Sequence, residues 1–472
     1  MILTGRTGLI ALLCALPIAF AARPALAFAV LAALLAVAVA VDVVLAGSPR
    51  ALRLSRGGQT SARLGQPVAA ALTVDNGGRS RFRGVIRDAW APSARAEPRL
   101  HRVNIAAGQR IAVETQLRPV RRGDQTSALV TARSVGPLGL AGRQASHRVP
   151  WQIRILPPFL SRKHLPSRLA RLRELEGMTP VLIRGQGTEF DSLREYVDGD
   201  DVRSIDWRAT ARRADVVVRT WRPERDRRVV IVLDTGRTSA GRVGVDPTGA
   251  PAEARLPAPP AEARLPAPPA EARLPAPPAE ADPGTGWPRL DWSMDAALLL
   301  AALAARAGDH VDFLAHDRVT RAGVFNASRT ELLAHLVNAM APLEPALIES
   351  DPRALVSAIQ RRARRRALVV LLTDLNASAI DEGLLTVLPQ LSAKHHVLLA
   401  AVADPRVDTL AAGRADAVAV YDAAAAERAR NERRDVASRL RRCGVDVVDA
   451  PPEELAPALA DHYLAMKATG RL

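Results

Sequence analysis

The chain has 472 residues, a formal net charge of +16 and an aromatic content of 3%. This length exceeds the size at which one hydrophobic core keeps growing, so at least two domains are expected. The charge would ordinarily indicate a nucleic-acid partner, but few aromatic side chains are available to stack on bases and no DNA-binding motif is present. No nucleic acid is therefore expected, whereas an arginine-rich surface also suits anionic lipid head groups. Two distant cysteines, Cys14 and Cys443, argue against a disulfide framework.

Two apolar runs begin the chain, at residues 8–22 and 25–46, and Arg23-Pro24 separates them. The second run is long enough to cross a hydrocarbon core of ~30 Å, and the first is marginal. A signal peptide with a cleavage site at Ala25-Leu26-Ala27 is the alternative. Because Pro17 and the immediate return of apolar sequence suit a membrane hairpin better, residues 1–47 are predicted to form two transmembrane helices.

Basic residues near these runs set the expected orientation in the membrane. Arg50, Arg53 and Arg56 closely follow the second run, whereas the connector between the runs has only Arg23. By the positive-inside rule, the N-terminus and everything after residue 47 are predicted to be cytoplasmic, at the plasma (inner) membrane. Asp42 lies near the end of its span, where its carboxylate can reach the head groups, so it is not assigned a proton-relay role.

Residues 48–157 are predicted to form a small antiparallel β-sandwich. Short alternating runs recur there between turn-forming residues such as Asp75-Asn76-Gly77-Gly78. None of the runs has residues at catalytic spacing, so a spacer or docking module is expected. The candidate strands are Val68–Val74, Gly84–Trp90, Ile111–Leu117, Ala128–Ser134 and Arg148–Ile155.

Residues 158–228 form a charged region that leads into the last domain. Phe190, Leu193 and Val197 recur at helical spacing, which predicts one face of a helix that ends at Gly199. A second turn is expected after it, with an aspartate as its cap and two apolar side chains pressed inward. The cap candidates are Asp200 and Asp201, and the apolar residues are Val202 and Ile205.

Residues 229–472 alternate apolar runs with helical patterns, which predicts an open, mostly parallel sheet with helices on both faces. Ligands of such sheets collect at the carboxyl ends of the strands. Residues 251–281 interrupt this pattern with a repeated Pro-Ala-Glu-Ala-Arg-Leu-Pro-Ala-Pro unit. A proline-dense repeat predicts an extended linker, and a recognition arm for a proline-binding partner is the alternative.

The motifs G-x-G-T-E-F, L-R-E-Y, G-D-D-x-R and I-D-W follow one another in residues 185–207 and resemble the signature of the domain of unknown function 58 family. That family resembles von Willebrand factor A-type domains and is known mainly as a genomic neighbour of MoxR-type AAA+ ATPases, so the resemblance implies such an ATPase as partner. We expect the charged members of the signature to contact the partner and the apolar members to serve as scaffold. The signature residues are Glu189, Phe190, Arg194, Glu195, Tyr196, Asp200, Arg203, Asp206 and Trp207.

The first strand of the last domain is followed by Asp234-Thr235-Gly236-Arg237-Thr238-Ser239, which resembles the metal-ion-dependent adhesion motif of von Willebrand factor A-type domains. The resemblance implies that Asp234 and Thr238, joined by Ser350 and Asp374, would hold a hard divalent cation such as Mg²⁺. Gly236 stands at the position of a hydroxyl ligand and offers no side chain. The site is therefore expected to bind Mg²⁺ weakly or not at all.

Two functions remain open. The favoured one is a membrane-anchored cytoplasmic interaction protein that acts with a MoxR-type ATPase in the assembly or maturation of a complex. The alternative is a metal-dependent hydrolase in which Asp234 and Asp374 hold the ion and a carboxylate acts as base, the candidates being Glu189, Asp200, Asp201 and Asp206. Since the sequence has no activated nucleophile and no intact phosphate loop, the chain is not expected to be an enzyme.

The Pro-rich repeat is predicted to be dispensable for folding. A flexible insertion in a surface loop adds a closure entropy of only ~0.6 kcal/mol per doubling of length. Deleting residues 251–281 should therefore leave the melting temperature of a 48–472 fragment nearly unchanged in a thermal unfolding scan. Collapse of the transition would mean that the repeat packs against the domain.

Overall fold

The computed structural model describes residues 1–177, 189–197, 200, 202–212, 215–222, 227–247 and 286–471. These residues form two compact units, Met1–Pro158 and the part of the chain that begins at Phe159. The Pro-rich repeat 251–281, the Gly185-Gln186-Gly187 motif, Gly199 and Asp201 lie outside the described residues.

The first unit begins with a short strand and three apolar helices: β1 (Ile2–Leu3), α1 (Gly5–Leu13), α2 (Ala15–Ala19) and α3 (Pro24–Leu45). In the described part of the chain, α3 alone is long and apolar enough to cross a membrane, at about 33 Å. Its large apolar side chains are exposed, among them Phe28, Leu34 and Val37. The first apolar run is divided between α1 and α2 and reaches only about 22 Å. The structure thus supports one helix of spanning length where the sequence predicts two.

Both ends of this helical segment contact the same turn of the chain, residues 136–141. β1 pairs antiparallel with Ala141 and Gly142. At the other end, the buried Asp42 carboxylate accepts hydrogen bonds from the backbone N–H groups of Leu138, Leu140 and Ala141 at 2.8, 2.7 and 2.7 Å. A Cβ atom at Gly136 would lie 2.1 Å from an Asp42 carboxylate oxygen, so the close approach requires glycine. The chain therefore enters and leaves the helical segment on one side.

The rest of the first unit is a β-sandwich. One sheet has the strand order β1-β10-β9-β5-β7, with β3 beside β10, and the other has the order β2-β4-β8-β6. Buried side chains from both sheets, including Leu72 and Val74 from one and Phe82 and Ile86 from the other, form a single hydrophobic cluster. All five predicted strands are present. The strand bounds are β2 Leu52–Gly58, β3 Ser61–Arg63, β4 Val68–Asn76, β5 Phe82–Ala89, β6 Ala96–Glu97, β7 Leu100–Ile105, β8 Arg110–Leu117, β9 Gly123–Val135 and β10 Ala141–Leu156, with short 3-10 turns at Pro49–Ala51 and Pro92–Ala94.

The second unit starts with a 3-10 turn, Leu160–His164, and helix α4 (Leu165–Gly177), and continues in the described residues with a two-stranded antiparallel hairpin. Strand β11 (Glu189–Glu195) pairs with β12 (Val217–Arg222), and a 3-10 turn (Val202–Ser204) and helix α5 (Trp207–Thr210) lie between them. The helix predicted over Phe190–Val197 is therefore wrong. The β-branched pair Val217-Val218 is buried and supplies a cross-strand partner that local periodicity cannot reveal.

The core of the second unit is a six-stranded sheet of order β17-β16-β13-β18-β19-β20. The edge strand β17 is antiparallel and the other pairings are parallel, which confirms the predicted open and mostly parallel sheet. The strands are β13 Arg228–Asp234, β16 His310–His316, β17 Thr320–Val324, β18 Leu368–Leu372, β19 His396–Val402 and β20 Val445–Ala450, and a separate small ladder joins β14 Arg242–Val243 to β15 Trp287–Pro288.

Helices cover this sheet. α6 is the most enclosed, because every residue from Leu290 to Ala305 is buried. The helices are α6 Arg289–Arg306, α7 Leu332–Met340, α8 Pro352–Arg362, α9 Ala377–Ala379, α10 Leu385–Ser392, α11 Pro405–Ala411, α12 Ala417–Arg442 and α13 Pro452–Ala468, with a 3-10 turn at Arg237–Ala240 and a π-turn at Ile380–Leu384.

Replacing Asp42 should loosen the turn that it holds. Asp42→Ala leaves three backbone N–H groups without their charged acceptor, and each such bond contributes about 1.5–3 kcal/mol. The amides of Leu138, Leu140 and Ala141 should exchange hydrogen at least about tenfold faster in the full chain. Asp75→Ala is the control, since Asp75 pairs with Arg110 at the surface. Unchanged protection in Asp42→Ala would refute this role.

Candidate functional site

Aspartates stand at the carboxyl ends of all five parallel strands of the second unit. In the order of the chain they are Asp234, Asp317, Asp374, Asp404 and Asp449. This is the edge at which ligands of parallel sheets bind, so the partners of each carboxylate decide what the edge can do.

Asp234 ends β13 and is surrounded by donors. Its Oδ1 accepts from the backbone N–H of Gly236 at 2.8 Å and from Ser350 Oγ at 2.6 Å. Its Oδ2 accepts from Thr238 Oγ1 at 3.0 Å and from Thr373 Oγ1 at 2.7 Å. A carboxylate has about four lone-pair sites, and these four donors use them. The structure thus brings together three of the four predicted metal residues and adds Thr373, whose only sequence signal is a hydroxyl beside Asp374.

The absence of a side chain at Gly236 makes room for Ser350, which occupies the space that a side chain there would need. A Cβ atom at residue 236 would lie 2.3 Å from Ser350 Oγ and 3.1 Å from the Ile348 carbonyl oxygen. A serine at this position would require Ser350 to move. The hydroxyl of Ser350 and the glycine are therefore mutually adapted around Asp234.

Asp374, the fourth predicted metal residue, is bound by two arginines instead. Its Oδ2 lies 3.0 Å from Arg289 Nη1, and its Oδ1 lies 2.8 Å from Arg433 Nη1. Arg433 also binds both carboxylate oxygens of Asp449, at 2.7 and 2.8 Å. Burial acts to lower the pKa of Arg433, but its bonds to Asp449 and Asp374 outweigh burial, and the pKa lies above its usual range. These four side chains form a compact network that carries no net charge.

The donors at this edge do not fit a directly bound Mg²⁺ ion. Such an ion needs carboxylate oxygens free to coordinate it, but Asp374 is neutralised by Arg289 and Arg433, and Asp234 already accepts four hydrogen bonds. In the described part of the chain, no three His, Cys, Asp or Glu side chains are grouped so that they could hold a metal.

Asp317 closes the neighbouring strand in a similar way. Its buried carboxylate accepts from Arg321 Nε at 2.6 Å, from Thr235 Oγ1 at 3.1 Å and from two backbone N–H groups. Burial alone would raise the pKa of Asp317, but these hydrogen bonds outweigh it and hold the pKa below its usual value. The adjacent His316 is buried, and burial lowers its pKa. The edge is thus a set of satisfied structural carboxylates.

The hairpin of β11, α5 and β12 contains most of the signature residues and is called here the signature hairpin. Its carboxylates have structural roles as well. Asp200 lies 2.6 Å from Arg194 and accepts from the backbone N–H of Val197. Asp206 caps α5 by accepting from two backbone N–H groups at 3.0 Å, and it binds Arg219 Nε at 2.8 Å. The hydrogen bond from Arg219, followed by those from the backbone, lowers the pKa of Asp206. The Asp206–Arg219 pair connects α5 to β12, and the Asp200–Arg194 pair connects β11 to the segment that follows it.

Four apolar side chains of the same hairpin are exposed. Trp207 is 68% exposed, Val202 65%, Val197 56% and Val216 41%. Backbone hydrogen bonds hold their segments together, since Tyr196 N–H donates to the Val216 carbonyl and Asp206 N–H donates to the Val217 carbonyl. Asp200 and Asp206 thus support the hairpin and Trp207 faces outward, whereas the charged members were expected to be contacts and the apolar members scaffold; that division of roles stays a prediction. Val202, which was expected to point inward, is among the most exposed.

The remaining signature residues are less informative. Glu195 and Arg203 are exposed and Tyr196 is half-buried. Glu189 and Phe190 lie in β11, and their side chains are outside the described residues, as is Asp201. Nothing in the sequence indicates that Val197 and Val216 are exposed, because hydrophobicity alone predicts burial.

Comparison with known proteins identifies one family. The model described as "Protein of unknown function DUF58" matches residues 192–244 and 288–443, so the interval it omits includes the Pro-rich repeat. No curated protein matches the sequence.

Three solved structures show limited similarity. The CARDB domain of the PF1109 protein from Pyrococcus furiosus, crystallised in complex with di-metal ions, is 11% identical, with 22% of this chain and 87% of that chain covered and a TM-score of 0.17. The solution structure of the same domain is also 11% identical, with 22% of this chain and 94% of that chain covered and a TM-score of 0.16. A β-glucosidase, EmGH1, from Erythrobacter marinus is 16% identical over 21% of this chain and 15% of its own, with a TM-score of 0.13. Scores this low carry no argument about fold or function.

Titration with Mg²⁺ tests whether the carboxyl edge binds metal. Because Asp374 and Asp234 are already satisfied, isothermal titration of the full chain should show no site tighter than about 1 mM. Asp234→Ala should give the same baseline. A micromolar site in the parent that disappears in Asp234→Ala would contradict the structural reading of this edge.

Proposed function

The C-terminal region of this chain belongs to the DUF58 family, and from that premise we propose that the protein is a membrane-anchored cytoplasmic docking protein for a MoxR-type AAA+ ATPase. In this role it would act in the assembly or maturation of a complex. The observation that carries the proposal is the exposed apolar surface of the signature hairpin, formed by Trp207, Val197, Val202 and Val216 and called here the hairpin surface.

An exposed tryptophan and exposed valines in segments joined by backbone hydrogen bonds are typical of a binding surface. Apolar groups on a protein surface mark interaction sites, and tryptophan is enriched among the residues that dominate binding energy. The pairs Arg194–Asp200 and Arg219–Asp206 help to hold these segments in place. Because the surface is organised before binding, a partner would lose less conformational entropy in ordering it.

The proposed anchor consists of the helical hairpin α1–α3. The exposed apolar surface of α3 needs cover, and lipid supplies it. Since β1 and Asp42 contact the same turn, both ends of the segment lie on one side, as a membrane hairpin requires. Arg50 and Arg53 are exposed and support a cytoplasmic location, whereas Arg56 is buried against Asp88 at 2.5 Å and contributes less to topology.

A von Willebrand factor A-like character is proposed for the sheet domain. The mostly parallel sheet, with Asp234 at the end of its first strand and Thr238 and Ser350 beside it, supports that relation. The hydrolase alternative is less favoured. It requires Asp374 as a metal ligand, but Arg289 and Arg433 bind both of its oxygens. It also requires a base, but Asp200 and Asp206 are engaged in the hairpin.

Removing the tryptophan side chain should abolish most of the binding without unfolding the chain. Trp207→Ala should weaken capture of the purified MoxR-type ATPase of the same host by at least about 30-fold, the effect of a binding hot spot of ~2 kcal/mol. Tyr421→Ala is a matched control, because Tyr421 is an exposed aromatic residue, 78% exposed, on α12. Affinity is measured by titration, and folding by thermal unfolding.

Asp206→Ala tests the contacts that stabilise the signature hairpin, as distinct from the hairpin surface itself. Loss of the α5 cap and of the Arg219 pair should lower the melting temperature of the second unit and weaken capture together. If Trp207→Ala binds normally while Asp206→Ala stays folded and loses capture, the charged residues contact the partner and the proposed surface is wrong.

A further inference from the structure

The two edges of the parallel sheet in the second unit differ in their charged residues. The carboxyl edge carries the five aspartates described above, and the opposite, amino edge is basic. Four adjacent parallel strands are each preceded by basic residues, namely Arg227 before β13, Arg364, Arg365 and Arg366 before β18, Lys394 before β19, and Arg441 and Arg442 before β20. Because adjacent strands start side by side, these residues form one edge, about 15 Å wide across four strands.

Much of this positive charge is uncompensated. The stretch Arg361–Arg366 has five arginines, all exposed. In the part of the chain that the structure describes, the side chains of Arg361, Arg364, Lys394, Arg441 and Arg442 form no hydrogen bond or ion pair. Acidic groups near this edge have other partners. Asp309 is bound by Tyr463 and Lys467, and Asp312 lies 3.5 Å from Arg228.

We propose that this basic amino edge, defined by Arg361, Arg364, Arg365, Arg366, Lys394, Arg441 and Arg442, binds the phosphate head groups of anionic phospholipids. Arginine presents planar donors that match phosphate oxygens. Clusters of four to eight basic residues are sufficient to recognise an anionic membrane surface, at about 1 kcal/mol per residue. The proposed anchor would also tether the chain to the membrane, so weak individual contacts would add up.

The described residues of the amino edge include no exposed aromatic side chain, which favours lipid over nucleic acid as the ligand. Sequence-tolerant binding of single strands uses aromatic platforms on which bases stack. Among the described residues, the exposed aromatic side chains are Phe20, Phe28, Trp207 and Tyr421, and none lies at the amino edge. The nearby Phe325 is half-buried, and the guanidinium of Arg362 covers its ring at 3.9 Å. A broad, charged edge without stacking groups fits head groups better than bases.

The native Cys443 offers a reporter, because it is half-buried and directly follows Arg442. The full chain with Cys14→Ala is labelled at Cys443 with a fluorophore and incorporated into nanodiscs that contain a lipid with a nitroxide on its head group. One set of nanodiscs is zwitterionic, and the other also contains phosphatidylglycerol. Strong quenching is expected only in the anionic set, and it should fall when salt is raised to ~0.5 M, since the Debye length then shrinks to a few ångström.

A charge-matched pair of variants tests the residues themselves. The edge variant combines Arg361→Gln, Arg364→Gln, Arg441→Gln and Arg442→Gln, all at exposed side chains without partners in the described structure. The control variant combines Arg173→Gln, Arg208→Gln, Arg212→Gln and Arg353→Gln, which are exposed and lie elsewhere in the unit. In anionic nanodiscs the edge variant should lose its quenching to the zwitterionic level, and the control should keep it.

Other outcomes overturn the proposal. Equal quenching in both lipid sets, or equal loss in both variants, would show that the edge has no specific role. If the parent in zwitterionic nanodiscs binds a short single-stranded RNA or duplex DNA through the same arginines while lipid has no effect, the partner is nucleic acid. Should the chain not enter nanodiscs, the anchor is refuted separately, and the same lipid and variant comparisons are made with vesicles of both compositions.

Discussion

The ion pairs of Asp374 with Arg289 and Arg433 link distant elements of the second unit. They join the end of β18 to the start of α6 and to the middle of α12, and Arg433 also binds Asp449 at the end of β20. Asp374 is buried and the two arginines are largely buried, whereas Asp449 is exposed. Removing one partner of a buried pair costs about 3–5 kcal/mol because an uncompensated charge remains. The same geometry takes Asp374 away from any metal, which leaves Asp234 alone with its hydroxyl donors.

Because the carboxylates of the sheet edge already have partners, the signature hairpin is the better candidate for binding a partner protein. At the edge, carboxylates are matched by arginine, hydroxyl or backbone donors. At the hairpin, paired charges accompany exposed apolar side chains, of which Trp207 is the largest. Ion pairs of this kind add little net stability, but they restrict which conformation the short turns around α5 adopt. A site for recognition, rather than for chemistry, is what such a surface can provide.

Sequence patterns predicted the larger elements well and the local ones less well. The strands of both units follow from alternating or continuous apolar runs, as at Val229–Leu233 and His396–Val402, because those runs are buried by their neighbours. The helical spacing of Phe190, Leu193 and Val197 misled, because pairing with β12, more than twenty residues away, outweighs local periodicity. For the candidate site, Asp234, Thr238 and Ser350 were predictable from their resemblance to a known motif. The roles of Arg289 and Arg433 depend on tertiary contacts across the sheet, which no local spacing encodes.

The hairpin surface, and not the carboxyl edge of the sheet, is proposed to contact the partner. The most direct test leaves Trp207 intact and places a photo-crosslinking amino acid at the exposed Arg208 beside it in the full chain, and separately at the exposed Arg237 beside the carboxyl edge, and irradiates each with the purified MoxR-type ATPase. An efficient crosslink is expected from position 208 and none from position 237. A crosslink from position 237 with none from position 208 would show that the carboxyl edge, and not the hairpin surface, contacts the partner.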